Sequence, residues 1–308
     1  MPNVRALASP ASLKGVLSAR AAARALAQGL ATWADVDELP VADGGEGTLD
    51  VLHGALGGEW RIATVHDAFG REREARWLSL NGDALVEAAE AIPLDPANLD
   101  PLAASSRGLG EVIAAVGTPR SLKVFLGGTA TVDGGAGLRQ VIRALPAPTV
   151  AFCDVDAPLV DAARVFAAQK GATPKQAVEL ESRLVAIDDL APFGDLSGAG
   201  AAGGLGAALA ALGATLEPAS PQVLELIGFD AAPYDLVVTG EGTVDATTTR
   251  GKAPGAVARR CAEVGTRCVL FGGRVVAAPP EVETIALSGD PARARADLVE
   301  LGTRLGAG

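Results

Sequence analysis

Apolar residues along this chain follow two rhythms. Through most of its length, short apolar runs alternate with stretches in which apolar positions recur every three or four residues, the pattern of strands feeding helices. Residues 18–31 are expected to form an alanine-rich helix with Ser18 as its cap. "DVDELPVADGGEGTLDVLHGAL" then reads as a short strand, a glycine turn and a second helix. One stretch breaks the rhythm. "WRIATVHDAFGREREARWLSLNGDALVEAAEAI" holds three alternating runs separated by "DAFGR" and "NGD", and Asn81-Gly82 is a strong hairpin signal. That segment predicts an antiparallel meander.

From Ser105 the strand-helix rhythm returns. "SLKVFLGGTATVDGGAGLRQVI" predicts a buried strand, a glycine loop and a helix, and "TVAFCDVDAPL" another strand ending in acids. An amphipathic helix with Thr173 as cap follows, then the glycine-rich "LSGAGAAGGLGAALAALGA". "YDLVVTGEGTVDATTTRGKAPGAVARRCA" reads as strand, loop and helix, and "TRCVLFGGRV" as the last strand, ahead of a tail from Ala277 with a short helical pattern. Alternation of this kind means mainly parallel sheets, whose ligands bind beyond the carboxyl ends of the strands. The meander inside such a chain implies a second domain inserted into the first.

Composition narrows the function. The formal charge is −11, which argues against a nucleic-acid partner because such binding rests on Lys and Arg. No apolar run approaches the roughly 18–20 residues of a membrane span. Three cysteines without C-x-x-C spacing point to neither a disulfide framework nor a zinc site, and a reducing cytoplasm fits. With His53 and His66 as the only histidines, a His-rich metal cluster is excluded and a Ser-His-Asp triad has little room. The first 34 residues lack acids and carry the Ala, Ser and Arg bias of an organelle transit peptide, an alternative to the strand, turn and helix read there.

Four segments share one design, an apolar strand or run, then glycines mixed with polar or charged residues, then a helix: "VADGGEGT", "FLGGTATVDGGAG", "LSGAGAAGGLG" and "VVTGEGTVDATTTRGKAP". Glycine loops at helix N-termini are general anion sites, and acids within them can hold Mg2+ together with phosphate oxygens. With lysines added, these are the components of phosphoryl transfer. No Walker A sequence is present. The G-x-G-x-x-G match at Gly198, Gly200 and Gly203 lacks a clear preceding strand, which disfavours a dinucleotide-binding dehydrogenase.

The motifs "VADGGEGTLDVL", "LGGTATVDGGAG", "CDVDAPL", "QKGATP", "GAGAAGGLGAAL" and "TGEGTVDATTTRGKAP" occur in the order, and close to the wording, of the bacterial glycerate kinase type-1 family, which the chain resembles from about Ser9 to Val275. The resemblance implies two unlike α/β domains with the active site in the cleft between them. One is flavodoxin-like with a parallel sheet, formed by residues 1–58 and 232–308; the other, residues 59–231, is inserted and contains a mixed or antiparallel sheet. It also implies ATP- and Mg2+-dependent phosphorylation of a hydroxyl of D-glycerate in the cytoplasm, with glycerate and ATP as partners, and is compatible with a homodimer. The chain departs from the family wording at Ala11, where an acid is usual, and at Thr243 and Thr247, where Arg and Gln are usual. Those changes motivate the alternative of a catalytically weakened ligand-binding or regulatory paralogue.

Within that resemblance, Asp43 is expected as general base or metal partner, with Lys14, Glu46, Asp245 and Lys252 also catalytic. Gly44, Gly45, Gly127, Gly128, Thr129, Lys170, Gly200, Gly203, Glu241 and Arg250 are expected to bind substrate or phosphate. Asp133, Asp154 and Asp156 are the metal candidates, the last two because acids spaced i, i+2 share one side of a strand.

Overall fold

The computed structural model describes residues 4–153 and 155–306, with the side chain of Arg250 also left undescribed. Its elements in chain order begin with β1 (Arg5–Ala8), α1 (Ala19–Leu30), β2 (Asp35–Glu38) and α2 (Thr48–Leu56). The meander β3 (Glu59–His66), β4 (Glu72–Leu80) and β5 (Asp83–Glu87) follows, then α3 (Ala88–Ala91) and α4 (Arg107–Ala115). β6 (Leu122–Phe125), α5 (Ala136–Val141), β7 (Thr149–Cys153), α6 (Ala162–Phe166), α7 (Pro174–Val185), α8 (Ala201–Ala211) and β8 (Thr215–Pro218) come next. The chain ends with α9 (Ala219–Leu226), β9 (Leu236–Val244), α10 (Ala253–Val264), β10 (Arg267–Val275), β11 (Glu283–Ala286) and α11 (Ala294–Arg304).

Two compact units divide these elements: Met1–Asp43, Asp50–Ala55 and Ser220–Gly308 form the first, Gly44–Leu49 and Leu56–Ala219 the second. The sequence placed the boundaries at 58/59 and 231/232. The loop 44–49 groups with the second unit because its backbone is bonded there, and α9 groups with the first because Ser220 at its start bonds Gly251.

In the first unit five parallel strands lie in the order β2-β1-β9-β10-β11. Counted along this unit the order is 2-1-3-4-5, the flavodoxin-like arrangement, with its switch point between β1 and β9. Ser18 caps α1 as expected, accepting from the Ala21 amide. The alanine content of α1 has a packing cause. A Cβ on Gly29 would lie 2.1 Å from the Val299 carbonyl, and one on Gly302 2.6 Å from that of Leu26, so α1 and α11 meet backbone to backbone. Trp33 seals the contact, its indole N–H donating to the Gly302 carbonyl at 2.9 Å. Leu26, Leu30, Leu298 and Leu301 around it are at most 2% exposed. Each such burial is worth about 2 kcal/mol.

The second unit is built on a six-stranded sheet ordered β3-β4-β5-β6-β7-β8. The pairs β3-β4 and β4-β5 are antiparallel and the rest parallel, so the meander read from the sequence is one half of a mixed sheet. Asn81 and Gly82, both at positive φ (51° and 86°), make the two-residue turn. Thr173 caps α7 with a capping box completed by Gln176.

Three elements depart from the sequence reading. β10 is not the last strand, because "ETIA" in the tail forms β11 as a four-residue parallel edge. β8 and α9 occupy the stretch after α8 that the pattern left unassigned. Both four-residue strands depend on a partner distant in sequence, and so leave little local periodicity.

Asp83 opens β5 and anchors the 80–123 corner, accepting from Arg120 at 3.0 Å and Lys123 at 3.1 Å. Burial raises its carboxyl, but the hydrogen bonds from Arg120, Lys123 and Ser121 and the Lys123 charge outweigh that and lower its pKa to about 2. A folded-state pKa below the ordinary 3.8 means stability that is present above the unfolded value and lost as pH falls through the folded one. Asp83→Asn is therefore expected to cost about 1 kcal/mol at pH 7. In urea melts the gap to wild type should close as pH falls from about 4 towards 2.

Candidate active site

At the carboxyl end of the first unit's sheet, β9 extends further than the glycine motif suggested. "GEG" lies inside the strand rather than after it: Gly240 pairs with Phe271 and Glu241 with Gly272 of β10. Residue 240 must be glycine for this pairing, since a Cβ there would sit 2.3 Å from the Phe271 carbonyl oxygen. Beyond Val244 the chain turns at Asp245, makes a short 3-10 turn over Thr248–Arg250 and enters α10 with Pro254 in its first turn. Asp245 shapes the turn, its Oδ1 accepting from the Thr247 amide at 2.8 Å and hydroxyl at 2.5 Å.

This path brings Glu241, Asp245, Thr248 and Lys252 together. Lys252 Nζ donates to Glu241 Oε2 at 2.9 Å and lies 3.9 Å from Asp245 Oδ1. Thr248 Oγ1 donates to Glu241 Oε1 at 2.7 Å. Burial pushes the Glu241 carboxyl above its ordinary value, the bonds from Thr248 and Lys252 oppose the rise, and the charge of Asp43 adds to it. Asp43, on the loop after β2, therefore lies within electrostatic reach of Glu241. Asp245 is pulled down, chiefly by the Thr247 hydroxyl. Ser220, fully buried at the start of α9, donates to the carbonyl of Gly251, whose φ of 155° is one that side chains rarely allow.

Lys14 lies in the loop after β1, on an exposed turn closed by the Leu13–Leu17 bridge. The backbone of Gly242 packs against that turn, a Cβ on it lying 3.5 Å from the Lys14 nitrogen. Loops from β1, β2 and β9 thus carry Lys14, Asp43 and the 241–252 group, at the switch-point end of a 2-1-3-4-5 sheet where such folds take ligands. Of the positions that depart from the family wording, Ala11 donates its amide to the Gly240 carbonyl and Thr243 lies in register with Arg274 of β10.

In the second unit, the glycines of the 44–49 loop pack against a second glycine loop. The Gly127 amide donates to the Gly44 carbonyl at 2.9 Å, and a Cβ on Gly127 would lie 2.6 Å from Gly45 Cα. Gly128 abuts Glu46, with a Cβ 3.3 Å from its nitrogen. The two glycine loops thus pack on each other through bare backbone. Glu87, 2% exposed at the end of β5, caps the start of α2, its carboxylate accepting from the Gly47 amide at 2.9 Å and the Leu49 amide at 3.0 Å. Thr129, 2% exposed beside these loops, has a hydroxyl with no hydrogen-bond partner among the described residues.

Several expected ligand residues are engaged by the chain itself. Asp133 accepts from the Ser106 amide and hydroxyl and from the Gly135 and Gly137 amides, so its oxygens are taken up in tying α4 to α5. Asp156 lies beyond β7, which ends at Cys153, so it does not share a strand face with another acid; Asp154 lies outside the described residues. Lys170 is buried and donates to the Thr131 carbonyl at 2.8 Å. Gly200 and Gly203 are packed by the chain itself, with Cβ positions 2.5 Å from the Pro158 carbonyl and 2.2 Å from that of Thr131. A 3-10 turn, Asp188–Phe193, and not a strand, precedes them. The side chain of Arg250 lies outside the described residues.

The sequence missed Glu87, Ser220 and Thr248. Glu87 left one signal, an acid ending the apolar run "ALVE". Glu87→Gln would leave one amide oxygen for two backbone donors and turn an NH2 group towards the other. A loss of about 2 kcal/mol is expected, read as a lower urea midpoint with unchanged slope.

The sequence profile described as the glycerate kinase family matches residues 6–147 and 142–289. A glycerate kinase of Bacillus subtilis (strain 168) is 35% identical over 330 residues, covering 88% of this chain and 85% of that protein. A glycerate 2-kinase of Escherichia coli (strain K12) is 34% identical over 305 residues, covering 81% of this chain and 80% of that protein. A crystal structure carrying the name glycerate kinase 2, from Salmonella typhimurium LT2, superposes with a TM-score of 0.79 at 30% identity, covering 99% of this chain and 98% of that one. With the family profile matched over most of its length and a shared fold at 30% identity, the chain belongs to the glycerate kinase family.

Proposed function

We propose that this protein is an ATP-dependent glycerate kinase, which moves the γ-phosphoryl group of ATP to a hydroxyl of glycerate and releases ADP and phosphoglycerate. The observation that carries the reading to particular residues is the Glu241–Lys252 pair at the switch-point end of the flavodoxin-like sheet. Phosphoryl transfer asks the protein mainly to position reactants and to stabilise charge. Lys252 precedes the first turn of α10, so its ammonium and the amide dipoles of that helix act on the same anionic group. Glu241 holds the ammonium until phosphate oxygens compete for it. Asp43 is the proton acceptor for the substrate hydroxyl, and Lys14 on the neighbouring turn supplies a second cation.

Mg2+ fits this site. Among the described residues no three His, Cys, Asp or Glu side chains converge, but Mg2+ takes one or two carboxylates with phosphate oxygens and water. Asp245 is 35% exposed and lies 3.9 Å from the Lys252 ammonium, and its carboxylate is the one proposed to hold the ion. Bound there, Mg2+ would supply charge neutralisation on the phosphates. Gly44, Gly45, Glu46, Gly127, Gly128 and Thr129 of the second unit are proposed as a substrate-facing surface, with the unpartnered Thr129 hydroxyl as its polar group. No helix among the described residues is long and apolar enough to cross a membrane. We place the reaction in the cytoplasm, where its soluble substrates are.

A coupled ADP-release assay with ATP, Mg2+ and D-glycerate tests the reading. Wild type should turn over, while Asp43→Asn, Glu241→Gln and Lys252→Met each lower kcat by roughly 100-fold or more, equivalent to about 2.7 kcal/mol of barrier. Absence of wild-type turnover, with ATP or glycerate still binding by calorimetry, would overturn it.

A further inference from the structure

The transfer chemistry leaves one buried group of the 241–252 segment without a role. Thr248 is 0% exposed, and its Oγ1 lies 3.0 Å from the Asp245 amide nitrogen and 2.7 Å from Glu241 Oε1. The amide can only donate, so the hydroxyl oxygen accepts from it and the single hydroxyl proton goes to Glu241. The direction of both bonds is thereby set. Glu241 then has one donor on each oxygen, Thr248 on Oε1 and Lys252 on Oε2, and the plane of its carboxylate is held from two sides.

The backbone of the same residue supports the helix that follows. A Cβ on Gly255 would lie 2.1 Å from the Thr248 carbonyl oxygen, so the first turn of α10 rests on it. Thr248 thus links the end of β9, the turn at Asp245 and the start of α10, the three places from which Glu241, Asp245 and Lys252 project.

We propose that Thr248 is a positioning residue of the transfer site: by bonding Asp245 and Glu241 at once, its hydroxyl aims the Lys252 ammonium. The role of Lys252 in transfer rests on the kinase reading; the aiming itself does not. Valine has the shape of threonine without the hydroxyl. Thr248→Val would strand the Asp245 amide and free one oxygen of Glu241, leaving the carboxylate to rotate and Lys252 to follow it. Displacements of about 1 Å at such a group cost up to 100-fold in rate.

The test uses the full chain with Thr248→Val and Thr248→Ser. Three quantities are measured: kcat and KM for ATP and glycerate, the melting temperature, and the rate at which acetic anhydride labels Lys252, read by peptide mass spectrometry. For Thr248→Val we expect kcat down about 30-fold with both KM values within about twofold, and Lys252 labelled several-fold faster. Thr248→Ser, which restores the hydroxyl, should return kcat to within about threefold and labelling to the wild-type rate. Wild-type kcat in Thr248→Val, a loss that serine does not repair, or unchanged labelling of Lys252 would each overturn the proposal. Should wild type fail to turn over glycerate, the kinase reading falls while the labelling comparison still decides the role of Thr248. If the valine variant does not fold, Thr248→Cys, close in size and only a weak donor, takes its place in both measurements.

Discussion

The ion pair between Glu241 and Lys252 is the constraint around which the first unit's carboxyl end is organised. A largely buried pair of this kind is poor evidence for stability, because the desolvation of both charges offsets much of their attraction. It persists where further hydrogen bonds fill the remaining lone pairs, and here Thr248 does so on the second oxygen of Glu241. Asp43 works against the pair by raising the cost of charge on Glu241. On the kinase reading proposed above, phosphate oxygens would compete with Glu241 for this ammonium.

The second unit uses its acids differently. Glu87 and Asp133 both turn inward and accept from backbone amides at helix starts, where the helix dipole favours negative charge. One buried carboxylate and one half-buried one thus hold loops in place. The glycines beside them have the matching task, since a loop that must lie within van der Waals reach of another backbone cannot carry a Cβ. Ala202, at φ 53°, is a non-glycine held in the left-handed region just ahead of Gly203 and Gly204.

These facts explain what was legible. Ser18 and Thr173 could be identified as caps because a cap bonds within three residues, and Asn81-Gly82 as a hairpin turn because its φ angles are a local demand. The parallel and antiparallel halves were readable from the contrast between helix-spaced and alternating apolar positions. β8 and β11 were not: each is an edge strand fixed by one neighbour distant in sequence, β7 and β10. At the site, residue types were legible and their partners were not. Asp133 and Asp245 both look like acids of glycine-containing loops, yet one accepts from Ser106, 27 residues away, and the other from Thr247 in its own turn.

By itself, then, the sequence determined the class of the fold, the local turns and caps, and the family, because periodicity, capping chemistry and long motifs are all written within a few residues of one another. The tertiary structure alone decided which charges meet. Thr248 reaching Glu241, Ser220 reaching Gly251 and Glu87 reaching the 44–49 loop join residues 7, 31 and about 40 positions apart. Contacts over such separations depend on how strands and helices pack, and burial then sets whether a carboxylate caps a helix, pairs with an ammonium or remains open to a ligand.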